Sequence, residues 1–275
     1  MGDYVGYVVA DGVATLLMDN PPVNALGQGL RLALQDAFAK AEADTAIGAI
    51  VLSAAGRGWP AGADIREFGK PAVSPVLPDL CAQIAQATKP VIATMTGHVL
   101  GGGLELALCA ALRLAAPTTV FGFPEIRLGL LPGAGGTQRL PRLIGAAAAL
   151  NLMLTGAPIT AAAALKLGLI DKVVTGDLAH VAQALARDHV KGLRHLPVAS
   201  QRKQTGFSDP DAYLAAVGAA RETLRNAAPQ GQVSHGLASP SRAGKRIIDC
   251  VEAALLLPPT EGQVFERTFP RAAAV

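Results

Sequence analysis

The sequence predicts an α/β fold in its first half and a mainly helical second half. Through residue 123, short apolar runs alternate with amphipathic helical patterns and glycine-rich loops, which is typical of an α/β layer. From Gly136 onward, helical patterns dominate. The chain has 275 residues, of which 51% are hydrophobic and 16% charged, so it can bury a sizeable core.

The first half opens with a predicted β-hairpin, whose strands 4–9 and 13–18 turn at Asp11-Gly12. A helix is predicted over 26–43, where apolar residues recur at helical spacing. Further strands are predicted at 48–53, 91–96 and 118–123, and further helices at 77–88 and 104–112, the last of which follows three glycines.

In the second half, helical patterns predict helices at 145–154, 160–167, 177–191 and 210–227, and one strand is predicted at 169–174. We therefore expect a core domain over 1–190 and a helical C-terminal region over 191–275. Within that region, a linker is predicted at about 229–240 and a tail helix at about 241–256, before two prolines. The apolar stripe of the tail helix predicts that it packs against the main body.

The composition argues against several classes of protein. The three cysteines, Cys81, Cys109 and Cys250, form no CxxC pair, so neither a disulfide framework nor a zinc knuckle is predicted. No secretory signal is visible, and no apolar stretch reaches the roughly 18 residues of a membrane span. We expect a soluble, cytoplasmic protein without membrane contact. The five histidines show no ligand spacing, so no metal is expected.

Three glycine clusters are candidate ligand sites: 61–65, 101–103 and 132–136. Glycine lets the backbone approach a ligand closely, and two N–H groups aimed at one carbonyl oxygen form an oxyanion hole. The alternative is that each cluster is only a tight turn.

Glu105 and Glu125 are the candidate acid and base. Glu105 follows the second cluster in an otherwise apolar helical pattern, where a carboxylate is costly unless it is paired, protonated or functional. Glu125 follows Pro124 at the end of the next predicted strand. Two carboxylates can serve as acid and base if the fold brings them together, but each is also a plausible salt-bridge partner.

Several motifs together resemble the crotonase, or enoyl-CoA hydratase/isomerase, superfamily over roughly residues 5–175. They are PPVNAL (21–26), AGADI (61–65), GHVLGGGLELAL (97–108), FPEIRLGLLPGAGGTQRLPRLIG (123–145) and LTGAPITAAAALKLGLIDKVV (154–174). The resemblance implies a spiral of ββα turns as the core, followed by helices that cover the site or that of a neighbouring subunit.

The resemblance also implies the catalytic residues. The N–H groups of Ala63 and Gly102 would bind the thioester oxygen. Glu105 would hold the attacking water and take its proton, and Glu125 would deliver a proton to the α-carbon. The binding residues implied for the coenzyme A thioester, whose adenine end would lie at the AGADI loop, are Ala25, Ala61, Gly62, Asp64, Ile65, Gly101 and Gly133.

The implied activity is enoyl-CoA hydratase, the syn addition of water to 2-enoyl-CoA that gives 3-hydroxyacyl-CoA in fatty-acid β-oxidation. A Δ3,Δ2-enoyl-CoA isomerase is the alternative, because isomerases of this superfamily rely mainly on the carboxylate equivalent to Glu125. Coenzyme A enters only as part of the substrate, and no separate cofactor is implied. A homotrimer or a dimer of trimers is expected.

Two features depart from simple hydratases. Trp59-Pro60 precedes AGADI where Phe-Cys or Phe-Ala is common, which predicts a stiffer loop or a reshaped pocket. Residues 237–269 resemble the stretch that follows the hydratase domain in multifunctional β-oxidation enzymes, where it leads into a dehydrogenase domain.

Two other classes are disfavoured. A dinucleotide-dependent oxidoreductase is suggested by Gly133-Ala-Gly135, but its fingerprint needs a third glycine where the chain has Gln138. A non-enzymatic RNA-binding relative is suggested by Arg242, Lys245 and Arg246, but no aromatic residues are interleaved with that cluster, so no nucleic-acid partner is predicted.

Overall fold

Two β-sheets and ten α-helices form the part of the chain that the computed structural model describes, residues 4–227 and 240–269. A six-stranded sheet has the order β1-β2-β3-β4-β6-β9, and a three-stranded sheet has the order β5-β7-β8. The strands are β1 (Val5–Ala10), β2 (Val13–Met18), β3 (Ala49–Ala54), β4 (Val91–Met95), β5 (His98–Leu100), β6 (Leu112–Ala115), β7 (Val120–Gly122), β8 (Ile159–Thr160) and β9 (Lys172–Val173).

The helices lie between and after these strands. They are α1 (Gln28–Ala43), α2 (Leu77–Ala85), α3 (Gly102–Ala107), α4 (Gly136–Ile144), α5 (Ala146–Thr155), α6 (Ala161–Leu167), α7 (Leu178–Val190), α8 (Pro210–Ala227), α9 (Pro240–Leu256) and α10 (Pro259–Arg267). Short 3-10 helices at Ile65–Glu67 and Pro124–Leu128 border the cavity described below.

The strands wind between the two sheets in successive ββα turns. In the first turn, β4 belongs to the large sheet, β5 to the small sheet, and α3 follows. In the next turn, β6 pairs with β4 and β7 pairs with β5, both in parallel. This is the spiral core that the motifs predict, with the helical C-terminal region after it.

Both faces of the large sheet are covered, which explains the uninterrupted apolar runs of its parallel strands. On β3, Ile50 and Leu52 face the main core, whereas Ala49 and Val51 face a smaller cluster that includes α7. The predicted hairpin is present, with β1 antiparallel to β2.

One predicted helix had the wrong bounds, and several elements were not predicted. The helix predicted over 104–112 ends at Ala107, and Leu112 begins β6. The three-residue strand β5 was not predicted, because so short a run carries little periodicity. Helix α4 was not predicted because it contains Pro141. Helix α10 was missed because its prolines look like a stop signal, whereas Pro259 is its first residue, where proline is tolerated.

The tail helix α9 packs into the main core, as its apolar stripe predicts. Ile247, Ile248, Val251 and Ala254 are fully buried, and α9 contacts α4, α5 and α8. The predicted linker at 229–240 lies outside the described residues up to position 239. The domain boundary at residue 190 stays a prediction, and core side chains on both sides of it belong to one continuous cluster. None of the described helices combines the length and apolar character needed to cross a membrane.

We expect Ile248→Ala to lower the free energy of unfolding by about 2–4 kcal/mol, because it leaves a cavity between the tail helix and the core. Leu256→Ala is the matched control on the same helix, since Leu256 is 65% exposed, and it should change stability by less than about 0.5 kcal/mol. Urea unfolding monitored by circular dichroism measures both. Equal effects would contradict the docked position of α9.

Candidate active site

A cavity of about 390 Å³ lies where the three glycine clusters meet. Its polar groups come from those clusters, from Glu105 and Glu125, and from Arg31, Glu67 and Lys70, and much of the remaining wall is apolar. The apolar wall includes Ile65, Phe68, Val73, Val76, Leu77, Leu128, Leu130 and Leu131. Four of these side chains remain exposed despite their size, namely Ile65, Phe68, Val73 and Leu128. Such a surface beside a polar centre suits a ligand with an apolar chain.

The N–H groups of Ala63 and Gly102 lie close together at this cavity. A Cβ placed on Gly102 would be only 3.4 Å from the nitrogen of Ala63. Gly102 is the first residue of α3, so its N–H has no partner within the helix. Within the described residues, neither N–H donates to another group of the chain. Two neighbouring backbone donors therefore lie at one cavity.

Close packing of the backbone holds this pair of donors in place. A Cβ on Gly103 would lie 1.8 Å from the carbonyl oxygen of Pro60, so only glycine fits there. Trp59 is 2% exposed, and its indole Nε1 donates to the Gly103 carbonyl over 2.8 Å. Trp59 does not line the cavity. It connects the loop that carries Ala63 to the helix that carries Gly102.

Glu105 is buried one turn into α3 and is held by a second glycine-rich turn. Its Oε1 accepts hydrogen bonds from the N–H of Ala134, at 2.6 Å, and of Gly136, at 2.8 Å. A Cβ on Gly136 would lie 2.9 Å from this oxygen, so the close approach needs glycine. Two N–H donors stabilise the charged form of a carboxylate. Glu105 thus fits the role of a base with a fixed orientation.

Glu125 lies against Gly101 in a different environment. A Cβ on Gly101 would come within 2.6 Å of its Oε1. Its Oε2 is enclosed and has no hydrogen-bond partner among the described residues. Burial raises the pKa of Glu125 to about 8, and the charge of Glu105 adds to the shift. Glu125 is therefore mostly protonated at neutral pH, as an acid must be.

The predicted binding residues fall into two groups. Those that line the cavity are Ala61, Gly62, Asp64, Ile65, Gly101 and Gly133. The carboxylate of Asp64 is paired with Arg66, which holds the pKa of Asp64 below its usual range, so its charge is already used within the loop. Ala25 is not among the lining residues, and its carbonyl accepts a hydrogen bond from Asn20.

The sequence did not single out Glu266, whose buried carboxylate binds the same turn as Glu105. Its contacts join residues about 130 positions apart, and no motif marks it. The apolar wall was also missed, because leucine, valine and phenylalanine are common core residues and carry no specific signal.

The structure also bears on the dinucleotide-binding and RNA-binding alternatives and on the expectation about metals. The segment before Gly133 is a 3-10 helix rather than a strand, so the strand–turn–helix context of a dinucleotide site is missing. No group of three or more potential metal ligands occurs among the side chains of the described residues. Of the basic residues in α9, Arg246 stacks over the ring of Phe269.

A family model described as Enoyl-CoA hydratase/isomerase matches residues 9–216, about three quarters of the chain. The chain belongs to this family. The match includes Ala63, Gly102, Glu105 and Glu125, and it ends before α9 and α10.

Curated relatives are similar over the same region. The peroxisomal bifunctional enzyme of Danio rerio is 44% identical over 179 residues, which is 65% of this chain and 25% of that protein. The glyoxysomal fatty acid β-oxidation multifunctional protein MFP-a of Brassica napus is 36% identical over 262 residues, 86% of this chain and 35% of that protein. The chain thus spans about a quarter to a third of the length of these relatives.

Solved structures of similar proteins cover most of the chain. Enoyl-CoA hydratase subunit I from Geobacillus kaustophilus has a TM-score of 0.63 at 29% identity, over 96% of this chain and 87% of that one. Carnitinyl-CoA hydratase from Mycobacterium avium has a TM-score of 0.64 at 28% identity, over 95% and 94%. The fold of these neighbours is the crotonase-like fold that the motifs predict.

The pKa of Glu125 predicts a pH-dependent effect of Glu125→Gln on stability. Because its pKa is about 8 in the folded protein and about 4.3 in an unfolded chain, the folded state keeps a proton that the unfolded state loses. Stability is therefore lost as the pH rises from about 4.3 through about 8. Glutamine cannot ionise, so Glu125→Gln does not lose this stability. The difference in melting temperature, variant minus wild type, should therefore be larger at pH 9 than at pH 5, by at least about 2 °C.

Thermal unfolding at the two pH values measures this difference. Glu222→Gln, which changes an exposed glutamate on α8, is the control and should show no such trend. A difference for Glu125→Gln that is the same at both pH values would contradict the raised pKa.

Proposed function

We propose that the chain catalyses the hydration of 2-enoyl-CoA thioesters to 3-hydroxyacyl-CoA. The observation that carries this proposal is the pairing of two carboxylates with different environments at one cavity. Glu105 accepts two backbone N–H bonds, whereas Glu125 is enclosed and has a raised pKa. Hydration needs a base for water and an acid for carbon, and this pair supplies both.

The neighbouring N–H groups of Ala63 and Gly102 would bind the thioester oxygen. As hydroxide adds to the β-carbon, electrons move from the double bond toward that oxygen and negative charge develops there. Two fixed donors stabilise this charge more than they stabilise the neutral substrate, and one such donor contributes about 3–4 kcal/mol in other enzymes. The site of Ala63 and Gly102 therefore favours reactions that pass through an enolate.

The proton transfers follow from the two carboxylates. Glu105 takes a proton from water while the water oxygen forms a bond to the β-carbon. Glu125 gives its proton to the α-carbon, and the carbon–carbon double bond becomes a single bond. Glu105 then holds a proton and Glu125 holds a charge, so exchange with solvent restores the starting state.

The protonation state of Glu125 favours hydration over isomerisation near neutral pH. Isomerisation would begin with an ionised Glu125 that removes a proton from the α-carbon and returns it to the γ-carbon. With a pKa of about 8, only a minor fraction of Glu125 is ionised at pH 7. Isomerisation is our second candidate, and its rate should rise with pH where that of hydration falls.

The biological setting is proposed from the relatives. Those named for fatty acid β-oxidation are multifunctional proteins of glyoxysomes and peroxisomes, so we place the reaction in β-oxidation. The expected cytoplasmic location stays a prediction, since these relatives are named for other compartments. The expected homotrimer or dimer of trimers, the absence of a separate cofactor, and the absence of nucleic-acid partners also stay predictions.

We expect Glu105→Gln and Glu125→Gln each to lower the hydration rate by about 10²–10⁴, or 3–5 kcal/mol of barrier. Glu105→Gln should affect isomerisation of 3-enoyl thioesters far less, because that reaction uses no water. Glu125→Gln should lower both reactions to that extent. Hydration and isomerisation are measured on the same folded variants, with Glu222→Gln as the surface control. Hydration by Glu105→Gln at the wild-type rate would overturn the two-carboxylate mechanism.

The role of the Gly102 N–H can be isolated by comparing Gly102→Pro with Gly102→Ala. Both variants add a Cβ that meets Leu77 at 2.7 Å, but only proline removes the N–H. Proline is tolerated as the first residue of a helix, so α3 should persist. We expect Gly102→Pro to hydrate at least about a hundredfold more slowly than Gly102→Ala, with coenzyme A binding retained. Equal rates for the two folded variants would remove Gly102 from the oxyanion site.

A further inference from the structure

Glu266 on α10 binds the same glycine-rich turn that holds Glu105. It is 3% exposed. Its Oε1 accepts from the N–H of Gly135 at 2.7 Å, and its Oε2 accepts from the N–H of Thr137 at 3.1 Å and from the Thr137 hydroxyl at 2.5 Å. A buried carboxylate with three donors is fixed on both oxygens.

The two glutamates bind alternate residues of one backbone segment. The N–H groups of Ala134 and Gly136 donate to Glu105, whereas those of Gly135 and Thr137 donate to Glu266. Consecutive N–H groups belong to adjacent peptide planes that are joined at one Cα atom, so a rotation that moves one of them shifts its neighbour. A shift of the N–H groups that bind Glu266 would therefore also move those that bind Glu105.

The docking of α10 against α4 leaves little freedom for this arrangement. Gly262 is buried on α10, and a Cβ there would lie 2.1 Å from Oε1 of Gln138. The Nε2 of Gln138 in turn donates to the carbonyl of Cys250 on α9. Both tail helices thus contact the helix that begins at the glycine-rich turn.

We propose that Glu266 is a positioning residue for Glu105, so that the tail helix α10 completes the catalytic site. This inference rests on the proposed hydratase function for its kinetic consequences. The family model ends at residue 216, so the match with the family does not include this contact.

Glu266 also affects the pKa of Glu125, because charged groups lie close together around it. The charged and titratable groups that face it are Glu105 from α3, Glu125 from the 3-10 helix, Arg139 from α4 and Cys250 from α9. Burial raises the pKa of Glu266 to about 8, and Glu105 adds to the shift. The charge of Glu266 also contributes to the raised pKa of Glu125. Removal of this charge should lower the pKa of Glu125.

Glu266→Gln keeps the shape of the side chain but places an amide donor against the N–H groups of the turn. We expect kcat for hydration to fall at least about tenfold, because Glu105 loses its orientation. The KM should stay within about threefold. The alkaline limb of the pH profile, where Glu125 loses its proton, should move to lower pH. Glu261→Gln, an exposed position on the same helix, is the matched control and should change none of these quantities.

Amide hydrogen exchange measured by NMR tests the positioning role without any assay of activity. In Glu266→Gln, the amides of Ala134 and Gly136, which Glu266 does not bind, should exchange at least about tenfold faster. Unchanged exchange at these two amides would overturn the proposal even if the enzyme is a hydratase. A wild-type protein that does not hydrate enoyl thioesters would overturn the proposed function, while faster exchange would still support the positioning role.

Thr137→Val serves if Glu266→Gln fails to fold. It removes one of three donors to Glu266 and keeps the size of the buried side chain. Exchange at Ala134 and Gly136 should increase, by less than in Glu266→Gln, and kcat should fall while KM is maintained. Wild-type exchange and kcat in Thr137→Val would contradict the proposal.

Discussion

Glu105 and Glu266 are buried around one part of the core, and Glu125 is half-buried there with its Oε2 enclosed. A buried carboxylate is costly unless it is hydrogen-bonded or protonated. Glu105 and Glu266 share the consecutive N–H groups of residues 134–137, and burial also raises the pKa of Glu266 to about 8. Glu125 has no such donors on Oε2, and its pKa is raised to about 8. The same constraint thus places two carboxylates with different environments at one cavity, which is the arrangement that acid–base catalysis needs.

The glycines around the site follow from the need to bring backbone atoms close together. Gly103 lies against the Pro60 carbonyl, and Gly136 lies against the carboxylate of Glu105. A side chain at either position would push apart the loop, the helix and the turn that meet there. Trp59 replaces a smaller residue of the family pattern, yet it lies behind the site and donates a hydrogen bond to Gly103. The departure from the pattern therefore supports the start of α3 from outside the cavity.

Much of the fold and part of the site could be predicted from the sequence. The hairpin, the alternation of strands and helices, and the tail helix follow from local periodicity, and the motif resemblance identified Glu105, Glu125, Ala63 and Gly102, which the structure brings to one cavity. Residues such as Ala25 could not be placed, because a motif does not say which of its members face the ligand. Glu266 could not be predicted. The two prolines at the start of α10 look like the end of a helix, and the contacts of Glu266 arise only from tertiary packing.

The proposed chemistry depends on a Glu125 that is protonated at neutral pH at the same cavity as Glu105. Carbon-13 NMR of the wild-type protein labelled at the glutamate carboxyl carbons measures this directly, with the resonance of Glu125 identified by its loss in Glu125→Gln. We predict that this carboxyl is mainly protonated at pH 7 and ionises with a pKa of about 8. A Glu125 carboxyl that is already fully ionised at pH 6 would contradict the account.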